Sequence, residues 1–381
     1  MRLVFLFTQQ GAAGADAVYD QTVKSINHFA VGTGGLKSEG YMWLLHRMVE
    51  TKVVDEVVIF IESNRYPGVA SIFGIPIHVV PHINNINAFL KPDDVIWVRG
   101  GFRSWHEWLV PKKGKHWLLL YGANTGRERW LFWDIIFRDT SDINSIDKRG
   151  RLHVEFHKPI NPNIFYPNKS SIEYDVCIGA SHVHDKKGQW KTIKAIIAYE
   201  RLYSTKLKCV LPGRIMKGVH TNAIRKDITD FNLNVTFTGM VDRHKMNEIY
   251  NQSGLFVYLG GGGQNDRGPL EALSCGTPII ICNPSRHHSV VCTYDQVSCV
   301  SKDSMDWDTV AHEIGLMFEK REEDTKAQTH AYFEKENGIE NVCLPEMKLI
   351  FDVIRANKKP TLKAQEEILR CMEHKSNGVK V

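Results

Sequence analysis

At 381 residues the chain is long for a single hydrophobic core and has ample material for two domains of ordinary size. Its 43% apolar and 24% charged residues are those of a globular protein and exclude a disordered or fibrous chain, and a net charge of +5 implies an anionic partner only where the charge is concentrated. The eight cysteines form no C-x-x-C pair, and Cys177, Cys209, Cys275 and Cys282 stand in apolar runs, which predicts buried thiols in a reducing, cytoplasmic setting over a secreted disulfide framework.

The opening "MRLVFLFTQQGAAGA" has the basic start and small residues of a signal peptide, but its apolar stretch, Leu3 to Phe7, is too short for one and reads as a first strand. No transmembrane segment is expected, since no stretch approaches the length of a membrane span. Short β-branched runs then recur, several leading into segments of helical period: "DEVVIFIE", "IPIHVV", "DVIWVRG", "HWLLLYG", "DIIFRD" and "RLHVEF". Runs of this kind, buried on both faces, predict a parallel sheet flanked by helices. A proline-marked segment at 157–171, "HKPINPNIFYPNKSS", interrupts the rhythm, which resumes with "YDVCIGA", "LKCVLPG", "NVTFTG", "LFVYLG" and "TPIIIC". From about 306 the tail reads as helices. The expected class is α/β, with two doubly wound Rossmann-like domains facing a central cleft: 1–165, 166–340, and C-terminal helices 341–381 packing back on the first domain.

The segment "GGGGQNDRGPLEALSCGTPIII", 260–281, carries the most specific signal. Its glycines follow the strand "LFVYLG" and precede the helix begun by "RGPLEALSCG". A backbone that can approach a ligand closely, beside the free N–H groups of a helix start, suits a phosphorylated molecule. No Gly-Lys-Ser/Thr follows, so it is not a P-loop, and no strand-end acid stands at the distance a dinucleotide site requires. On pattern alone, a glycine-rich loop that merely permits a turn stays open as the alternative.

The longer stretch "NVTFTGMVDRHKMNEIYNQSGLFVYLGGGGQNDRGPLEALSCGTPIIIC" resembles the donor-binding half of the retaining family 4 (group 1) glycosyltransferases of the GT-B fold. Gly239, Ile249-Tyr250, Glu271-Ala272, Cys275-Gly276 and Pro278 match that family's pattern. "INPNIFYP" is similar to the segment that crosses between domains, and "CIGASHVHDKKGQWKTIKAI" to the strand, loop and helix carrying the basic pair for the donor diphosphate. "GTGGLKSEGYMWLLHRMVETKVVDEVVIFI" resembles the N-terminal glycine pair, with Gly35, and the first helix.

The resemblance implies transfer of a sugar from a UDP- or GDP-linked donor to a glycan, lipid or other hydroxyl acceptor, with no cofactor and no metal ion required. Lys187 matches the lysine that would stabilise charge on the departing diphosphate. Its partner arginine falls near His182, and histidine, mostly neutral at pH 7, is a poorer cation, for which Arg214 after "VLPG" could compensate, with Gly213 beside it among the expected donor-binding residues. Glu271 matches the carboxylate that accepts hydrogen bonds from both ribose hydroxyls. Gly262 would let the backbone approach the donor. The family's first glutamate falls on Gly263, so contacts to the donor sugar would be rebuilt from Gln264, Asn265 and Asp266 or be absent. Where many members carry a histidine near the reacting carbon, this chain has Tyr121 to Asn124; Asn124 can hydrogen-bond a sugar hydroxyl but is no base, which is tolerable if the departing phosphate takes the acceptor proton.

Residues 97–133 hold six of the nine tryptophans and seven Lys/Arg against Glu107 and Glu128, a local balance of +5. Aromatic faces with cations suit sugars, bases and phosphates, so Trp105, Trp108 and Arg127 are the expected acceptor residues, with core packing the alternative for each tryptophan. "HVH" at 182–184 and His287-His288 lack a third ligand at metal-binding spacing. Three other classes remain open: a non-catalytic sugar-nucleotide binding protein, which Gly263 would suit; a nucleotide-sugar epimerase; and a nucleic-acid glycosylating enzyme, which the basic aromatic segment would suit.

Overall fold

Apolar runs become strands in the computed structural model, which describes residues 1–7, 39–62, 68–99, 104–121, 130–138, 144–179, 182–183, 188–215, 218–260, 267–283, 297–301 and 306–378. The chain divides into two compact units, Met1–Pro159 with Val342–Val381, and Ile160–Asn341.

In the first unit the described strands are β1 Arg2–Phe7, β2 Glu56–Glu62, β3 Gly68–Ile72, β4 Ile75–Val80, β5 Val95–Arg99, β6 Leu118–Tyr121, β7 Ile135–Arg138, β8 Ser145–Ile146 and β9 Leu152–Glu155. They form one sheet in the order β3-β4-β2-β1-β5-β6-β7-β9-β8. Pairing is parallel from β4 across to β9, and the edge strands β3 and β8 join antiparallel. β2 is buried at every position from Val57 to Ile61, which a strand covered on both faces requires. Helix α1, Gly40–Glu50, turns Tyr41, Leu44, Leu45 and Met48 inward at helical spacing. Strand order reverses at β1, so the switch point of this sheet lies at the carboxyl ends of β1 and β5. The short helix α2, Ser104–Leu109, follows β5.

The second unit contains β10 Tyr174–Ile178, β11 His182–Val183, β12 Lys208–Pro212, β13 Arg214–Ile215, β14 Asn234–Gly239, β15 Ser253–Tyr258, β16 Ile279–Asn283 and β17 Val297–Ser301. Its main sheet is parallel throughout, in the order β14-β12-β10-β15-β16-β17, while β11 and β13 form a separate two-stranded ladder. Helices α3 Gln189–Tyr203, α4 Val219–Asp230, α5 Arg243–Asn251, α6 Arg267–Ser274, α7 Trp307–Glu319 and α8 Thr325–Asn337 accompany it. Successive residues of one strand feed different cores: Val176, Ile178, Leu255 and Val257 pack with Ile193, Ile196 and Ile314, whereas Cys177, Phe256 and Tyr258 pack with Leu270, Leu273 and Phe333. With a side-chain period of two, the centre of this sheet is buried on both faces, which explains the continuous apolar run of β15. Order reverses at β10, placing the second switch point between β10 and β15.

Two C-terminal helices, α9 Leu344–Ala356 and α10 Leu362–Gly378, belong to the first unit. Arg355 donates to the Val53 carbonyl at 2.8 Å, the Gln365 amide donates to the carbonyls of Asp134 at 2.8 Å and Gly150 at 3.0 Å, and Glu346 meets the His157 ring at 2.8 Å. Among the described residues, no helix is long and apolar enough to cross a membrane.

Strands β3, β8, β11, β13 and β17 are not among those expected from the sequence. The first two are short edge strands, β11 and β13 are two residues each, and β17, "VSCVS", alternates where the central strands run continuously apolar. Cys177, Cys209, Cys275 and Cys282 are buried free thiols, but Cys299 in β17 is disulfide-bonded, which corrects the expectation of thiols alone.

Candidate functional site

The switch point of the second unit brings two loops together. After β10 the chain passes through Gly179 and β11 to Gly188, which caps α3 in the left-handed region at φ 75°. After β15 it passes through Leu259 to Gly260. A Cβ on Gly188 would lie 2.2 Å from the Leu259 carbonyl carbon, 2.4 Å from its oxygen and 2.5 Å from the Gly260 nitrogen. The start of α3 is thus pressed, backbone to backbone, against the start of the glycine loop. Amides of the first turn of α3 have no partner within the helix and present partial positive charge at this junction.

Beside it, β11 and β13 pair with His182 opposite Arg214, so two residues expected to share one task stand in register on adjacent strands. Arg214 is exposed. Gly213, just before it, donates its N–H to the Gly239 carbonyl at 2.8 Å, joining the carboxyl ends of β12 and β14.

Glu271, the fifth residue of α6, has a side chain only 12% exposed. The Tyr250 hydroxyl donates to its Oε2 at 3.4 Å, and the Arg243 guanidinium stands 3.8 Å from Oε1. Burial, and then the Glu271 charge, push the Tyr250 phenol well above its ordinary value, so it stays protonated and remains a donor. Tyr250 ends up beneath α6 because its ring packs edge-on against Phe256 at 5.5 Å and its carbonyl accepts from the Thr277 hydroxyl at 2.7 Å. Asp242 caps α5 by accepting from the Lys245 amide at 2.8 Å, which fixes Arg243 at the first position of that helix. Neither Tyr250 nor Arg243 was singled out for a role from sequence. The available signal was general: a buried tyrosine hydroxyl needs a partner.

At the first unit's switch point, Arg99 ends β5, donates to Glu39 Oε2 at 3.2 Å and lies over the Tyr41 ring at 4.5 Å. Tyr121, at the end of β6, is 5% exposed and packs on Tyr41 at 4.8 Å.

The tryptophans require a correction. Trp105 and Trp108, expected to face an acceptor, are 1% and 4% exposed and belong to the core with Leu109, Phe132 and Trp133. Trp105 donates its indole N–H to Glu62, and Trp108 donates to Asn87 at 2.9 Å. Positions 105, 108 and 109 share one face of α2, and burial of that face satisfies both indoles, leaving neither ring surface for a ligand. Lys187, Asn124, Gly35, Gly262, Gly263, Gln264, Asp266 and Arg127, like His287 and His288, lie outside the described residues. Among the described residues no cluster of three His, Cys, Asp or Glu is placed to hold a metal ion.

Residues 167–333 match the family described as Glycosyl transferases group 1. No curated protein sequence matches the chain. Among solved structures it is similar to the sucrose-phosphate synthase of Thermosynechococcus elongatus, at 14% identity and a TM-score of 0.55 over 94% of this chain and 98% of that one. It is similar also to HepE of Anabaena in complex with UDP and glucose, at 12% identity and a TM-score of 0.58 over 94% and 100%. A glycosyltransferase from Rickettsia africae ESF-5 aligns at 14% identity and a TM-score of 0.59 over 97% and 98%. These identities speak for the fold: the chain has the GT-B fold, two Rossmann-like α/β units with a helical C-terminal region, and its group 1 glycosyl transferase match covers most of the second unit.

Proposed function

We propose that the chain is a retaining glycosyltransferase that moves a sugar from a nucleoside diphosphate donor to a hydroxyl acceptor. The observation that carries this reading is the junction of Gly188 with Leu259 and Gly260 at the switch point, with the Glu271 carboxylate held on α6, the helix that follows the glycine loop in the chain. On this reading the donor diphosphate sits at the start of α3, where Lys187 and Arg214 supply charge, and Glu271 accepts the ribose hydroxyls. The donor sugar lies along 260–266, with Gly262 admitting it and Gln264 and Asp266 reaching its hydroxyls. A bond forms between the acceptor oxygen and the anomeric carbon as the bond from that carbon to the phosphate oxygen breaks. The acceptor proton passes to the departing phosphate, so no side-chain base is needed, and Asn124 only orients a hydroxyl.

UDP-sugars are the first donors to test, since HepE binds UDP and glucose; GDP-sugars are the second. A cytoplasmic location, with intracellular nucleotide sugars at hand, suits such a donor. With Trp105 and Trp108 in the core, the acceptor is assigned to the carboxyl edge of the first sheet, beside Arg99 and toward Arg127.

The test is nucleoside diphosphate release from a panel of UDP- and GDP-sugars with glycan and lipid acceptors. Wild type should turn over one of them, and Lys187→Ala should lose about 10²–10³ in rate, the loss expected for one group that stabilises transition-state charge. Wild-type rates in that variant would remove Lys187 from the site, and donor binding with no release by wild type would make the chain a sugar-nucleotide binding protein.

A further inference from the structure

We infer that Tyr250 and Arg243 are positioning residues that fix the Glu271 carboxylate and thereby set a preference for ribose over 2′-deoxyribose nucleotides. The inference rests on the donor site proposed above and assigns to it two residues of α5.

A carboxylate that must accept two hydroxyls at once has to present both oxygens in one plane, with lone pairs outward. Alone on a helix, a glutamate has three rotatable side-chain torsions and samples many such planes. Here Glu271 is restrained at both oxygens: the Tyr250 hydroxyl takes one lone pair of Oε2 at 3.4 Å, and Arg243 faces Oε1 at 3.8 Å. Each oxygen retains acceptor capacity, so a diol can be added without displacing either residue.

The support is rigid on the tyrosine side and adjustable on the arginine side. Tyr250 is 3% exposed, and Gly268, one turn before Glu271 on the same face of α6, leaves its hydroxyl room: a Cβ there would stand 3.3 Å from the Phe256 ring and 3.6 Å from the Tyr250 oxygen. A larger residue at 268 would crowd the hydroxyl that reaches Glu271. Arg243 is 21% exposed on its side chain, at the outer end of the arrangement, where it offsets the carboxylate charge that partial burial would otherwise penalise.

Both residues act through Glu271, so their removal should be felt most by nucleotides that present both hydroxyls to it. The experiment is calorimetric titration of wild type, Tyr250→Phe, Arg243→Gln and Arg243→Lys with UDP, GDP, 2′-deoxy-UDP and 2′-deoxy-GDP. Wild type should bind its ribonucleotide about tenfold or more tighter than the 2′-deoxy form, the loss expected for one hydrogen bond to a charged group. Tyr250→Phe should weaken the ribonucleotide several-fold and the 2′-deoxy form, which keeps one hydroxyl on Glu271, by less, so that the preference narrows. Arg243→Gln should shift it the same way by less, and Arg243→Lys should keep it. A variant pair that weakens both forms equally would show structural support only and overturn the inference, as would a preserved preference in both Tyr250→Phe and Arg243→Gln. Failure of wild type to bind either diphosphate is a different outcome: it would remove the donor site itself.

Discussion

Replacing Gly188 by alanine tests the junction on which the donor site depends. Two costs arise, and a second glycine separates them. At φ 75° an alanine pays the left-handed strain of about 1–2 kcal/mol. Its Cβ would also lie 2.2 Å from the Leu259 carbonyl carbon, where ordinary contact begins at 3.4 Å, so the start of α3 must retreat from the glycine loop by more than 1 Å. Backbone rather than a flexible side chain stands in the way, and overpacking of this kind adds about 1–3 kcal/mol. Gly150→Ala is the control: its φ is 69°, and nothing lies within 4 Å of the added Cβ. Urea unfolding should therefore show Gly150→Ala destabilised by about 1–2 kcal/mol and Gly188→Ala by about 2–5 kcal/mol. Turnover of the nucleotide sugar should fall about 10²-fold in Gly188→Ala, the effect of misplacing a reacting group by 1 Å, and be unaltered in Gly150→Ala. Equal stability losses with normal turnover in both variants would refute the close approach.

Trp105→Ala and Trp108→Ala should each destabilise the protein by about 3–5 kcal/mol in denaturant melts, as loss of a buried tryptophan does; near-normal stability with a raised acceptor KM would return them to the acceptor site. Burial pushes the Asp134 carboxyl up from 3.8 to about 7, against a hydrogen bond from the Leu118 amide at 2.8 Å. The folded chain then holds a proton that the unfolded chain releases. Stability from this group is fully present below about pH 4 and is lost as pH rises through about 7, by up to about 4 kcal/mol. Asp134→Asn keeps an acceptor for Leu118 and should flatten that slope between about pH 4 and 7; an unchanged slope would assign it to other groups.

Most of the sheet architecture was legible because both faces of each sheet are buried, so strands such as β2 and β15 are continuous apolar runs. The edge strands β3 and β8 were not, since they are largely solvated and need little apolar content. The glycine loop stood out from local order, a strand, glycines and a helix start, whereas Glu271 was singled out by the family resemblance. Its partners were not: Tyr250 and Arg243 stand 21 and 28 positions away, and nothing in periodicity connects helices at that separation. The aromatic segment misled for a physical reason. Aromatic density with positive charge has the composition of a recognition surface, but the spacing of Trp105, Trp108 and Leu109 is that of a buried helix face, and the spacing was the better guide.

The most direct measurement is a thermal unfolding screen of the intact protein against nucleotide sugars, with Glu271→Gln alongside. A donor at a hundred times its dissociation constant should stabilise wild type by about 2.7 kcal/mol, with the shift largely lost in the variant. No stabilisation by any UDP- or GDP-sugar, or equal stabilisation of both proteins, would contradict the assignment of a nucleoside diphosphate sugar to this site.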